Sequence, residues 1–368
     1  MTQQTAHRPV TGRLAPTAAF LWSLLAIAIG LWHLVAPGEG PFSHELYQPT
    51  VPIPDSLPAF VIPTALMVAG AAGLMLARAR AGLWPVTALY AIVFGLLVAT
   101  SNLVAAAGYL AAFAIPLLVF VLPLLVARRP ITRIVAFVAE AAALAALFAF
   151  GPVSIGVAAE TFGNVARAFV DLAPHLLAQV WAGAGGVIWA ALTVRTLRRR
   201  WTKLGAPAWL APESAIRWGR AAAYIAAACA LPYGLLRLTW LTPWPLLSPS
   251  PGELEADPGM RMWGLFLGFA CLTGGVLCLG MTQRWGERWP VWMPGLHGKP
   301  VPPKIAIIPA TTVAALFTIA GVSLPVMAIR QGEPLLALAF PFYIWGPALG
   351  AATLAYAIKR GVVQPLTN

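Results

Sequence analysis

Long apolar runs recur from one end of the chain to the other, and no other feature limits the fold as strongly. About 20 apolar residues make an α-helix that crosses a hydrocarbon slab roughly 30 Å thick, and such a helix satisfies its own backbone there. Counting runs bounded by charge, Pro or Gly gives about ten transmembrane helices, near 18–36, 59–77, 84–102, 106–127, 132–151, 172–194, 220–241, 261–282, 305–327 and 335–357. The division between the third and fourth rests on Ser101 and Asn102, the only polar break in a long apolar stretch. Composition agrees: 60% of the 368 residues are hydrophobic and 10% charged, against about 25% charged in soluble domains. A soluble enzyme with a tail anchor is excluded. The fold class expected is an all-α polytopic membrane protein.

Charge distribution orients it. The net charge of +12 comes from 24 Lys and Arg against 12 Asp and Glu. With the N-terminus cytoplasmic, twenty of the 24 basic residues fall in inner segments. Arg8, Arg13, Arg78 and Arg80, the series from Arg195 to Arg220, the series from Arg284 to Lys304, and Lys359 and Arg360 are among them. Nine acids, including Glu39, Glu45, Asp55, Glu160, Asp171 and Glu253, fall outside. This positive-inside pattern predicts both termini on the cytoplasmic side. It also accounts for the basic excess without a nucleic-acid partner. The first run, behind Arg8 and Arg13, is expected to be a retained helix because no small-residue cleavage site follows it. Cys229, Cys271 and Cys278 all sit in apolar runs, which excludes a disulfide framework and a CxxC site.

The two ends of the chain look alike. Gly30-Leu31-Trp32-His33-Leu34 matches Gly234-Leu235-Leu236-Arg237-Leu238 at an offset of 204, and Gly70, Leu74, Trp84 and Pro85 match Gly275, Leu279, Trp289 and Pro290 at 205. Pro116 and Pro123 in the fourth run parallel Pro341 and Pro347 in the tenth. We expect a duplicated four-helix repeat: residues 1–129 hold the first copy, 130–219 a linking pair of helices and a basic cytoplasmic linker, and 220–368 the second copy. An even number of linking helices gives both copies the same orientation.

The block Gln283-Arg284-Trp285-Gly286-Glu287-Arg288-Trp289-Pro290 is followed by Pro294-Gly295-Leu296-His297-Gly298 and Val301-Pro302-Pro303. Together with Leu231-Pro232-Tyr233-Gly234-Leu235-Leu236-Arg237-Leu238, these segments resemble uncharacterised multi-pass membrane proteins of high-G+C bacteria, mainly over residues 220–310. The resemblance implies a bacterial plasma-membrane location and no particular activity.

HExxH, GxSxG, Walker and GxGxxG patterns are all absent, which argues against an enzyme. Ionisable residues at membrane depth are therefore the functional candidates. Arg237 lies 17 residues beyond Arg220, roughly 25 Å along a helix, one turn past Pro232. His33 is its repeat counterpart, and Asp171 and His175 enter the sixth run from the same side. These four could form an outward-facing pocket in which Arg237 binds an anionic lipid or small-molecule ligand. Equally, Arg237 could snorkel to the interface and pair with an outer acid. Glu140, seven residues above Arg133 among alanines, suits a proton relay or a structural hydrogen bond. Haem ligation by His33 and His175 lacks a CxxCH or an i-spaced partner, so no cofactor or metal is expected. The function expected is permease-like or lipid-handling, the alternative being a non-catalytic scaffold or accessory subunit with a membrane protein partner.

Overall fold

The computed structural model describes residues 11–38, 40, 42, 48–54, 56–78, 83–111, 130–150, 155–205, 207–246, 250–290 and 297–363. Among these residues no strand forms, and one isolated antiparallel bridge joins Arg288 to Pro300. The helices are α1 (Thr11–Val35), α2 (Val61–Arg78), α3 (Trp84–Ile92), α4 (Asn102–Ala111), α5 (Pro130–Phe150), α6 (Ile155–Asp171) and α7 (Ala173–Leu204). They continue as α8 (Pro212–Cys229), α9 (Leu231–Leu238), α10 (Pro251–Ala256), α11 (Pro258–Gly280), α12 (Pro303–Arg330), α13 (Leu335–Ala339) and α14 (Phe342–Lys359). Proline opens several of them, where a missing N–H costs nothing. α7 stops at Gly205, whose φ of 86° a side chain would resist.

Seven runs among the described residues are long and apolar enough to cross a membrane: Leu14–Val35, Val61–Arg78, Ala173–Thr202, Pro212–Leu241, Pro258–Gly280, Pro303–Arg330 and Leu335–Lys359. An eighth is gained if the bent pair Trp84–Val98 and Asn102–Ala111 is one span. The seven coincide with the first, second and sixth to tenth of the ten expected spans. The third and the start of the fourth are the bent pair. Beyond Ala111 the fourth, with Pro116 and Pro123, lies outside the described residues, as do Arg8, Glu39, Glu45, Asp55, Arg80 and 294–296. The fifth is helical as α5 but is not among the seven.

Residues 155–171, expected as an outer loop, form α6 instead. Ile155, Ala159, Phe162, Ala166 and Phe169 recur at helical spacing opposite Glu160, Asn164 and Arg167, the pattern of an amphipathic helix too polar to cross.

Packing divides into two bundles. In the first, Trp22 of α1, Phe94 beyond α3, and Trp181, Ala182 and Trp189 of α7 form one buried cluster. In the second, Ala223 and Ala226 of α8, Cys278 of α11, Ala320 of α12 and Trp345, Leu349 and Tyr356 of α14 form another. α7, expected in the linking pair, thus packs on α1 and α3. Ile319 of α12 is buried in the first cluster and joins the two.

Small residues set the helix approaches. Gly30 of α1 faces Pro63 and Met67 of α2, and Gly70 of α2 faces Ser23 and Ile27 of α1. In the second bundle Gly234 of α9 faces Leu272 of α11, and Gly275 of α11 faces Ala227 and Ala230. α3 and α7 meet at Gly95 and Gly186, where a methyl on Gly186 would lie 2.5 Å from the Gly95 Cα.

Candidate functional site

The apolar stretch from Trp84 to Ala111 breaks near its middle. α3 widens at Val93–Val98 into a π-helical segment, closed when the Ala99 N–H donates to the Phe94 carbonyl at 3.1 Å. Ala99 is extended (φ −71°, ψ 141°), and α4 restarts at Asn102 at 73° to α3. Thr100, Ser101 and Asn102 can offer the backbone alternatives to helical bonding, which explains the break at this point. Backbone groups released inside a membrane need partners within the protein.

α7 supplies them. His175 and Gln179 stand one turn apart on one face of that helix. Gln179 Oε1 accepts from the Thr100 N–H at 2.9 Å and from the Thr100 hydroxyl at 3.2 Å. His175 Nε2 lies 3.3 Å from Asn102 Nδ2. Gln179 is fully buried, and Thr100 and His175 are 3% exposed. A backbone N–H can only donate, so its bond fixes the Gln179 amide with oxygen toward Thr100. The Nε2 end then points elsewhere, and among the described residues it finds no hydrogen-bond partner. An enclosed amide donor without an acceptor costs about 1–3 kcal/mol and calls for an explanation.

Rigid aromatics flank the break. The Trp22 and Trp181 rings stack at 4.8 Å, 1° from parallel, and each indole N–H donates to the other's carbonyl, at 2.9 and 3.3 Å. Phe94 meets Trp22 edge-on at 4.6 Å. Such pairing holds α1, the π-helical segment and α7 in one geometry.

Of the residues expected at the pocket, His33 and His175 belong to this bundle. His33 Nε2 accepts the Phe42 N–H at 3.2 Å, its ring stacks on Phe42 at 5.8 Å, and Phe42 lies 6.2 Å from Trp181. Asp171 is exposed as the last residue of α6, one turn before His175. Arg237 sits in the second bundle. Its Nε donates to the Tyr233 hydroxyl at 2.9 Å, its guanidinium lies 4.0 Å from the Trp240 ring and 5.0 Å from that of Tyr233, and its stem rests on Gly268. Glu140 is half-buried on α5, among exposed Phe137 and Val138. Thr100 and Gln179 were missed from sequence. Their signals were the Ser101-Asn102 break and the four-residue spacing of His175 and Gln179 in an apolar helix.

Comparison with known proteins leaves this geometry to speak for itself: no family model matches the chain, and neither does any curated protein or solved structure.

Proposed function

We propose that this chain is a permease-like membrane protein that receives a small solute bearing an oxygen acceptor at the break between α3 and α4. The observation that carries the reading is Gln179: fully buried, its oxygen held by Thr100, its amide donors unpartnered. Broken helices with polar residues at membrane depth are how transporters bind solutes within a bilayer, and a solute carboxylate, carbonyl or hydroxyl would accept from Gln179. His175 and Asn102 border the same site. Arg237 stands apart from it, since Tyr233, Trp240 and Gly268 already engage that side chain. Glu140 is the group proposed to carry a coupled proton.

The finer architecture belongs to the same proposal: ten spans in a bacterial plasma membrane, both termini cytoplasmic, with a duplicated unit. Supporting duplication, the offsets of 204 and 205 carry Gly30 and Met67 onto Gly234 and Leu272, and Ser23 and Gly70 onto Ala227 and Gly275. Both pairs are contacts in both bundles. On packing, α7 lies against α1 and α3 as α14 lies against α8 and α12.

The test uses protein in lipid nanodiscs, screened for thermal stabilisation by carboxylates, amides and polyols. Binding of one class is expected, weakened about tenfold by Gln179→Leu, with uptake of that solute into proteoliposomes. If every solute stabilises wild type and Gln179→Leu equally, the reading fails and the scaffold alternative takes its place.

A further inference from the structure

We infer a second site, for a phosphate oxygen, at the end of the second bundle remote from Trp240, formed where α8, α14 and the turn after α11 meet. A cleft there is lined by Gly219 and Arg220 of α8, Thr282, and Ala355, Tyr356 and Lys359 of α14. Gly219 lets α8 close onto Ala355, and that contact sets Arg220 beside the last turn of α14.

The neighbouring charges are already committed. Arg360 donates to the Tyr356 hydroxyl at 2.6 Å, to the Gly286 carbonyl at 3.5 Å and to the Val301 carbonyl at 2.8 Å, while Tyr356 donates to Gly286 at 2.7 Å. Lys359 pairs with Glu287. Arg220 is exposed and, among the described residues, makes no hydrogen bond or ion pair. The site therefore holds a net positive charge with one guanidinium free to make charge-assisted bonds to an anion.

Size and depth select the ligand. The cleft is partly open and its cavity volume is about 30 Å³, room for a single oxygen-sized group, so the bulk of the ligand stays outside. Twenty residues separate Arg220 from Trp240 within one span, about 30 Å along a helix, which is the hydrocarbon thickness. With the Leu241 end of that span at one interface, Arg220 is at headgroup level in the other. A phosphodiester on an anionic lipid fits a site that takes one oxygen and leaves the remainder in the interface. Free phosphate shares that chemistry.

The experiment compares wild type, Arg220→Gln, Arg220→Lys and, as a control on α6, Arg167→Gln. Native mass spectrometry follows release from nanodiscs of phosphatidylcholine with or without phosphatidylglycerol. Wild type and Arg167→Gln should retain phosphatidylglycerol about fivefold better than Arg220→Gln, with Arg220→Lys between them, so the order is readable even if the glutamine variant folds poorly. Stabilisation of wild type by inorganic phosphate in pure phosphatidylcholine, with no preference for phosphatidylglycerol, would overturn the lipid source and assign the site to free phosphate. Equal retention by all four proteins, with no effect of phosphate, would overturn the site.

Discussion

Replacing Gln179 by Leu should cost the fold little, and the reason is specific. The substitution strips the Thr100 N–H of its acceptor, a loss of about 1–3 kcal/mol for a buried backbone donor. It also removes the unpartnered Nε2, which relieves a penalty of the same size, about 1–3 kcal/mol. The Thr100 hydroxyl can turn to a backbone carbonyl as Thr318 and Thr353 do. The two terms oppose each other, so Gln179→Leu should lie within about 1.5 kcal/mol of wild type. Gln179→Glu keeps an oxygen for Thr100 but buries a carboxyl without a cation, and should lose several kcal/mol. Equilibrium unfolding in bicelles by steric trapping measures both. A loss above about 3 kcal/mol for Gln179→Leu would mean both ends of the amide were bonded, and the argument for a ligand there would collapse.

Gly186→Ala sets a methyl 2.5 Å from the Gly95 Cα and 3.1 Å from its nitrogen; backbone cannot yield as a side chain does, so a loss of about 1–3 kcal/mol is expected. Gly274→Ala, with open space around the new methyl, should be neutral or stabilising by up to about 1 kcal/mol, and thermal unfolding of the two variants side by side checks the contrast. In the loop ahead of α11, the Ser250 N–H and hydroxyl donate to Glu253 at 2.6 and 2.9 Å and hold its carboxyl below the usual range. That capping box is fully present above the ordinary Glu pKa and is lost as pH falls through the depressed folded value. In Ser250→Ala, which keeps the backbone donor and removes the hydroxyl, the Glu253 titration followed by NMR should rise toward the ordinary range but stay below it.

The apolar runs determined the seven long helices because hydrocarbon length and hydropathy act locally, residue by residue. α6 escaped because a count of apolar runs overlooks a helix whose apolar residues occupy one stripe, and Ile155, Ala159, Phe162, Ala166 and Phe169 register only as a period. The outer pocket is argued in the sequence from depth, from Pro232 and from the match of His33 to Arg237, none of which fixes direction around a helix. Depth places Arg237 and His175 at similar levels but says nothing of azimuth, and Arg237 turned toward Tyr233 and Trp240 while His175 turned toward Asn102. The Ser101-Asn102 signal is legible in the sequence as a polar break between two apolar runs. Only the tertiary partner, Gln179 across 79 residues of sequence, shows why a break there can be sustained.

That break is not demanded by the packing scheme. In the second bundle the helix laid on α14, as α3 is laid on α7, is α12, and it runs unbroken for 28 residues in spite of Pro309 and Pro325. Two of its hydroxyls close locally, Thr318 onto Ala314 and Thr312 onto Ile308. A continuous helix therefore fits such a position, and the first bundle keeps a bent one whose released Thr100 N–H is accepted by a buried glutamine. Thr100→Ala, Ser101→Leu and Asn102→Ala together remove the side chains that compete with helical bonding, and with Gln179→Leu they remove the partner as well. The quadruple variant should fold with unfolding stability equal to or above wild type, gain helicity by circular dichroism, and lose every solute that wild type binds. Were it to retain binding with α3 and α4 joined, the break would be an ornament of folding, and the ligand would have to be sought elsewhere in the bundle.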